Sequence, residues 1–166
     1  MEITARVIVS SAALKGQAPE IVRERLKAAM SDACAFGKRK IQLRTPRGAS
    51  ARAGLMSSIQ FETRPTATGR IGIIGTANPY GLVVEMGRRP GMGKPPIGAL
   101  VPWIKMKLGV SEEEAERIQF PMRNKIARDG TEPVEMFAKL LTDDRAALDA
   151  IFQRHGFKLA TELAAP

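Results

Sequence analysis

The sequence predicts an α+β domain: a mostly antiparallel sheet packed against one long N-terminal helix, with a helical C-terminal third. Three observations predict it. Ile59, Phe61 and Thr63 alternate with Gln60, Glu62 and Arg64, the period-2 signature of a half-buried strand. A second β-rich run, Arg70 to Thr76, follows the turn Pro65-Thr66-Ala67-Thr68-Gly69, so the two runs form a hairpin. Upstream, Val22, Leu26, Ala29, Ala33 and Phe36 recur at helical spacing, and Met30 widens the stripe.

The elements follow in order. Ile3, Ala5, Val7 and Val9 alternate with Glu2, Thr4, Arg6 and Ile8, an opening strand. Pro19 suits the first turn of a helix and Glu20 suits the positive end of its dipole; the helix reaches about Leu43. Cys34 lies beside its apolar stripe and reads as a small buried hydrophobe. The hairpin comes next, with Ile59, Phe61, Ile71 and Ile73 expected to face Val22, Leu26, Met30 and Ala33. After it, Asn78-Pro79-Tyr80 makes a turn, and the apolar segment Leu82 to Met86, closed by Gly87, is a lid. Ile97 to Leu108 is a short helix with Pro102 near its start and Trp103 as a core anchor. Ser111-Glu112-Glu113-Glu114 is a capping box that opens another helix, which Pro121 should bend or divide before Asp129-Gly130 stops it. Thr142 or Asp143 caps a last helix with Leu148, Ile151 and Phe152 inward, and Gly156 either ends or interrupts it.

The 166 residues fit one domain, with residues 1–96 holding the sheet and long helix and residues 97–166 a helical extension. A chain of this length buries enough surface to need neither disulfide nor metal. The single cysteine allows no internal disulfide and no multi-cysteine zinc site, and fits a reducing compartment. The first residues lack the pattern of a secretory signal, and no apolar run approaches a membrane span.

Net charge is +9 and uneven: residues 1–52 carry 11 basic and 4 acidic side chains, residues 53–110 carry 7 and 2, and residues 111–166 carry 8 and 11. A basic body with an acidic C-terminal third can bind polyanions or stack on copies of itself. Low aromatic content argues against base-stacking platforms. Lys38, Arg39, Lys40, Arg44, Arg47 and Arg52 follow one another with no acid between them. They read either as a solvated helix end or as a patch facing DNA or another polyanion. Arg88 to Pro96 is the second basic run and is rich in proline and glycine. Its Gly93-Lys94 is no phosphate loop, because Arg88 stands where glycine is required and Pro95 where Ser or Thr would hold magnesium. Both loops, Thr45 to Ala53 and Arg88 to Pro96, are expected to be mobile in an isolated subunit.

Gly54, Leu55, Ser58 and Ile59, then the hairpin, then Tyr80, Gly81, Val84, Glu85 and Gly87 and a basic Pro/Gly loop form an ordered set. This set resembles the tail-component family of long-tailed bacteriophages, the neck or tail-completion proteins made beside the head–tail connectors. The likeness covers roughly residues 1–140 and extends to Lys125 to Thr131 and Met136-Phe137. The Ala-rich segment 49–53 and the helix pair after Trp103 depart from it. The resemblance implies a structural protein of the virion, in the neck or at the tail top, made in the host cytoplasm and forming a ring, expected to be a hexamer. It also implies neighbouring connector, tail-tube or terminator proteins, with genomic DNA passing through the channel. Tyr80, Glu85, Arg88, Arg89 and Lys94 are the candidate interface residues. Glu85 reads equally as a partner of Arg88 or Arg89 one turn on, or of an arginine in a neighbouring subunit.

Nothing in the sequence suggests catalysis, a cofactor or a metal. His155 is the only histidine and reads as an imidazole beside helix C-terminal carbonyls. No nucleophile motif accompanies it, and the acids at 112–116 open a helix. A free DNA-binding module and an enzyme with carboxylates assembled in space are the other two function classes.

Overall fold

The computed structural model describes residues 18–47, 54–67 and 69–164. The strand expected at residues 2–9 lies outside them, as do residues 48–53 of the first basic loop. The elements are α1 (Ala18–Arg44), α2 (Leu55–Ser58), β1 (Ile59–Pro65), β2 (Arg70–Thr76), α3 (Tyr80–Met86), α4 (Val101–Leu108), α5 (Glu112–Asp129), α6 (Ala138–Thr142) and α7 (Arg145–Ala164). The α+β class holds: α1 packs on a two-stranded antiparallel hairpin and the C-terminal half is helical.

The hairpin pairs from Ile59 with Thr76 to Pro65 with Arg70. Opposed residues share a face. Phe61 and Ile74, and Thr63 and Gly72, therefore look toward α1, while Ile73 and Ile71 look away with Glu62 and Arg64. This reverses the expected face of β2: Ile71 and Ile73 are 52% and 44% exposed. The cause is the closeness of helix to hairpin. A Cβ on Gly72 would stand 2.7 Å from Met30 Sδ and overlap Cys34 Sγ. A Cβ on Gly37, about two turns before the end of α1, would stand 2.6 Å from Ile74 Cδ1. Phe61 has the expected face but sits at its rim, 36% exposed, and Leu26 is also exposed. The core forms instead around Ile41, Leu55, Ile59, Val84, Met136 and Leu140. Cys34 is buried as expected, and burial pushes its thiol above the ordinary value.

α7 lies antiparallel along α1, with Ile151, Leu159 and Leu163 buried. Polar ties mark the seam, among them Arg25 to Glu162, Asp32 to His155 (2.8 Å), and Arg44 to Asp144 (2.5 Å). His155 is thus buried mid-helix against Asp32, not placed at a helix end, and α7 runs unbroken through Gly156. Asp144, rather than Thr142 or Asp143, immediately precedes α7, and its carbonyl accepts from the Leu148 amide.

Burial alone would raise the Asp144 carboxyl, but hydrogen bonds and charge from Arg44 and Lys40 outweigh it and hold it below the ordinary 3.8. A lowered folded value means stability that is present above the unfolded value and lost as pH falls below it. Asp144→Asn should therefore flatten the acid limb of the melting-temperature profile below about pH 4. An unchanged acid limb would show that this tie contributes nothing to the seam.

α4 and α5 pack on each other around a small core of their own, Val101, Ile104 and Ala115, with Ile118 and Met122 at its margin. Neither makes an extended contact with α1, the hairpin or α7, so the pair stands out from the body as an arm. Ser111 caps α5 as expected, accepting from the Glu114 amide. Pro121 does not divide α5; its ring is exposed and the helix continues to Asp129. Trp103 is 37% exposed, and Ile104 fills the core place expected for it.

The arm joins the body at a clasp. Arg88 and Thr131 exchange both backbone hydrogen bonds, each 2.9 Å. Beside them, Gly87 (φ 69, ψ −169) and Gly130 (φ 75, ψ −161) occupy a region that only glycine adopts readily. A Cβ on Gly87 would overlap the Thr131 carbonyl oxygen, and one on Gly130 the Arg88 carbonyl oxygen.

A candidate subunit interface

The segment from Tyr80 to Met86 is a helix, and its two faces have different tasks. Gly81, Val84 and Glu85 face inward. A Cβ on Gly81 would be 2.7 Å from Thr76 Cγ2, and Val84 enters the core beside Leu55 and Ile59. Glu85 binds neither Arg88 nor Arg89. Its carboxylate oxygens accept from the Phe137 and Ala138 amides, 3.0 and 2.9 Å, at the start of α6. Charge-assisted bonds of this kind satisfy the free N–H groups of a helix start.

The outward face is wholly uncharged. Tyr80, Leu82, Val83 and Met86 are exposed, Leu82 and Met86 at 67% and 70%. Positions 82, 83 and 86 lie together on one helical face. Of this face only Tyr80 is among the expected interface residues; Leu82, Val83 and Met86 are not. The signal was available: Leu82-Val83-Val84 is apolar all round, which one buried face does not require.

Arg88 turns inward to organise the Pro/Gly loop, with Nη2 donating to the carbonyls of Met92 (2.6 Å) and Gly93 (2.9 Å). The loop is tied further by the Gly91 amide to the Ala127 carbonyl, Arg123 to the Pro95 carbonyl and the Gly98 amide to Gln119. These bonds join the loop to α5 within one copy. Arg89 and Lys94 remain exposed, with no ion pair among the described residues.

The expected polyanion-facing cluster is divided. Lys40 and Arg44 reach Asp144 at 3.1 and 2.5 Å, Arg44 also lies 3.5 Å from Asp143, and Lys38 donates to Gln60 at 2.8 Å. The acids missing from the local sequence come from the start of α7, about a hundred residues on. Arg39 and Arg47 are exposed; Arg52 lies outside the described residues.

On the arm, Glu113, Glu116, Arg117 and Phe120 share one face of α5 and line an open depression. Phe120 is half exposed, with the Arg123 guanidinium over its ring. Among the described residues no cluster of three or more His, Cys, Asp or Glu could hold a metal, and no helix is long and apolar enough to cross a membrane. No protein-family model, curated protein or solved structure matches the chain.

Proposed function

We propose that the chain is a structural subunit of the neck of a long-tailed bacteriophage or prophage. In this reading six copies form a ring at the head–tail junction that completes the tail or joins it to the head. Connector and tail-tube or terminator proteins lie on either side of the ring. One observation carries the reading. The residues of the resemblance, split in sequence by a hairpin, pack as one unit that ends in a helix with an apolar outer face. Leu55, Ile59 and Val84 meet in the core, Ser58 Oγ lies 2.6 Å from Thr76 Oγ1, and Gly81, Glu85 and Gly87 each meet a close partner. Tyr80, Leu82, Val83 and Met86 are left to meet another protein.

Native mass measurement across protein concentration, with imaging of the assembled species, tests this reading. A closed ring is expected. A monomer that binds duplex DNA tightly, with affinity falling steeply as salt rises, would instead assign the chain to the free DNA-binding class. That class has less support, because Lys40 and Arg44 are engaged within the chain. Among the described residues of that cluster, Arg39 and Arg47 are the exposed arginines that can face genomic DNA in a ring, and Arg39→Ala with Arg47→Ala should reduce the salt dependence of any DNA contact without lowering the melting temperature.

A further inference from the structure

We infer that the outer edge of β2 is a docking site for the chain's own segment Ile3 to Val9, which adds to it as a third, antiparallel strand. Ile3, Ala5, Val7 and Val9 face α1 beside Val22 and Leu26, and Ile8 lies next to Ile71 on the outer face. The occupant belongs to the residues outside those described. The open edge, its apolar flank and the length of the connection to α1 select it.

The edge follows from the hairpin. The Thr66 amide donates to the Gly69 carbonyl, so these two residues form a hydrogen-bonded pair at the turn. Such pairs alternate along an antiparallel ladder, which makes Arg64 with Ile71, Glu62 with Ile73 and Gln60 with Gly75 the bonded ones. The amides and carbonyls of Arg70, Gly72 and Ile74 therefore point away from β1. Among the described residues none of them has a hydrogen-bond partner. The edge of β1 suits an apolar strand less well. Its outward positions include Pro65, which has no amide to give. Beside it on α1 stands Lys38, bound to Gln60, and Ser31 and Lys27 share that helical face at spacings of seven and eleven.

The flank beside β2 is apolar. Met30 and Cys34 meet Gly72, and Leu26 and Val22 follow Met30 in successive turns, each rotated further toward the α7 side. Leu26 is 39% exposed there. The connection then sets the direction. β2 runs in the same sense as α1, since Gly72 meets Met30 and Ile74 meets Gly37. At 1.5 Å per helical residue, the Arg70 end of β2 lies roughly 15 Å along α1 from Ala18, and the Thr76 end roughly 35 Å. Nine steps of chain from Val9 to Ala18 span at most about 30–32 Å. Val9 reaches the Arg70 end, as an antiparallel strand requires, and falls short of the Thr76 end. Opposing Val9 to Arg70, Val7 to Gly72 and Ala5 to Ile74 sends Thr4 and Arg6 outward with Gln60, Glu62 and Arg64. Ile8 breaks the alternation of its segment, and this register sets it opposite Ile71, which is exposed on the outer face.

Disulfide trapping tests the pairing. Ile8 and Ile71 form a non-hydrogen-bonded pair in this register, and its close Cβ atoms suit a disulfide. With Cys34→Ala in the background, Ile8→Cys with Ile71→Cys should oxidise to an intramolecular disulfide in most molecules. Ile8→Cys with Arg64→Cys, one strand farther away, should stay reduced. A pair at 71 that stays reduced overturns the inference. So does equal trapping at 64, which moves the segment to the β1 edge, or trapping between chains alone, which makes a second copy the donor. Amide exchange gives a reading without new cysteines. In the unaltered chain the Gly72 and Ile74 amides should exchange as slowly as those of Ile71 and Ile73, which bond β1. Val7→Pro removes an amide from the third strand and should speed exchange at Gly72 at least about tenfold while leaving Ile73 slow. Fast exchange at Gly72 and Ile74 in the unaltered chain, or no change with Val7→Pro, would also overturn it.

Discussion

Gly87→Ala and Gly130→Ala should each destabilise the protein by on the order of 3 kcal/mol and loosen the arm before the body. Two costs combine at each position. The backbone angles belong to a region costly for any side chain, and the added Cβ would overlap a carbonyl oxygen of the opposite strand of the clasp. The carbonyl cannot yield without breaking one of the two hydrogen bonds between Arg88 and Thr131. Denaturant melts give the loss, and amide exchange across residues 91–127 locates it. Gly91→Ala is the control: its φ is also positive, but its Cβ meets open space, so only the conformational cost of about 1–2 kcal/mol remains. Equal losses at positions 87, 91 and 130 would mean that the clasp does not constrain the arm.

The second large effect is in the core. Ile59→Ala should cost about 2–5 kcal/mol, because Ile59 is fully buried among Ile41, Leu55, Val84, Met136 and Leu140. Ile73→Ala should stay within about 0.5 kcal/mol on the open face of the hairpin. A Phe61 fully buried on the face expected from the alternation would lose on the order of 3–5 kcal/mol in Phe61→Ala. Its rim position reduces that to about 1–2 kcal/mol, since much of the ring never leaves water. A large loss at Ile73 and a small one at Ile59 would show that the strand faces are inverted.

The contrast between Ile59 and Ile73 shows what could be read in advance. Elements governed by local chemistry were legible: Pro19 and Glu20 open α1, Ser111 caps α5, and alternation marks β1. The inward face of β2 was not. Two isoleucines outweigh a glycine and an isoleucine on any apolar count, yet Gly72 lets α1 approach and so decides the face. Proximity of this kind depends on both partners, Gly37 as well as Gly72, and a pattern within one strand does not contain it.

The interface candidates divide for the same reason. Tyr80, Arg89 and Lys94 are exposed, whereas Glu85 and Arg88 are engaged by groups that arrive from residues 92–138. Local sequence shows that a charge is present, while distant sequence determines whether it is already satisfied. Lys40 and Arg44 make the point again, since Asp144 completes them from the far end of the chain.

The pair formed by Arg88 and Thr131 also has a topological consequence. Residues 89–130 depart from one hydrogen-bonded pair and return to it, so the two ends of this excursion are held about 5.5 Å apart whatever lies between them. Loop-closure cost rises only with the logarithm of length, by about 0.6 kcal/mol per doubling. The excursion can therefore be lengthened with little penalty to the rest of the fold. One further turn in each of its two helices would extend its span by about 5 Å. The hairpin and its covering helix remain unaltered by such a change, because the excursion leaves and re-enters the fold at the same hydrogen-bonded pair.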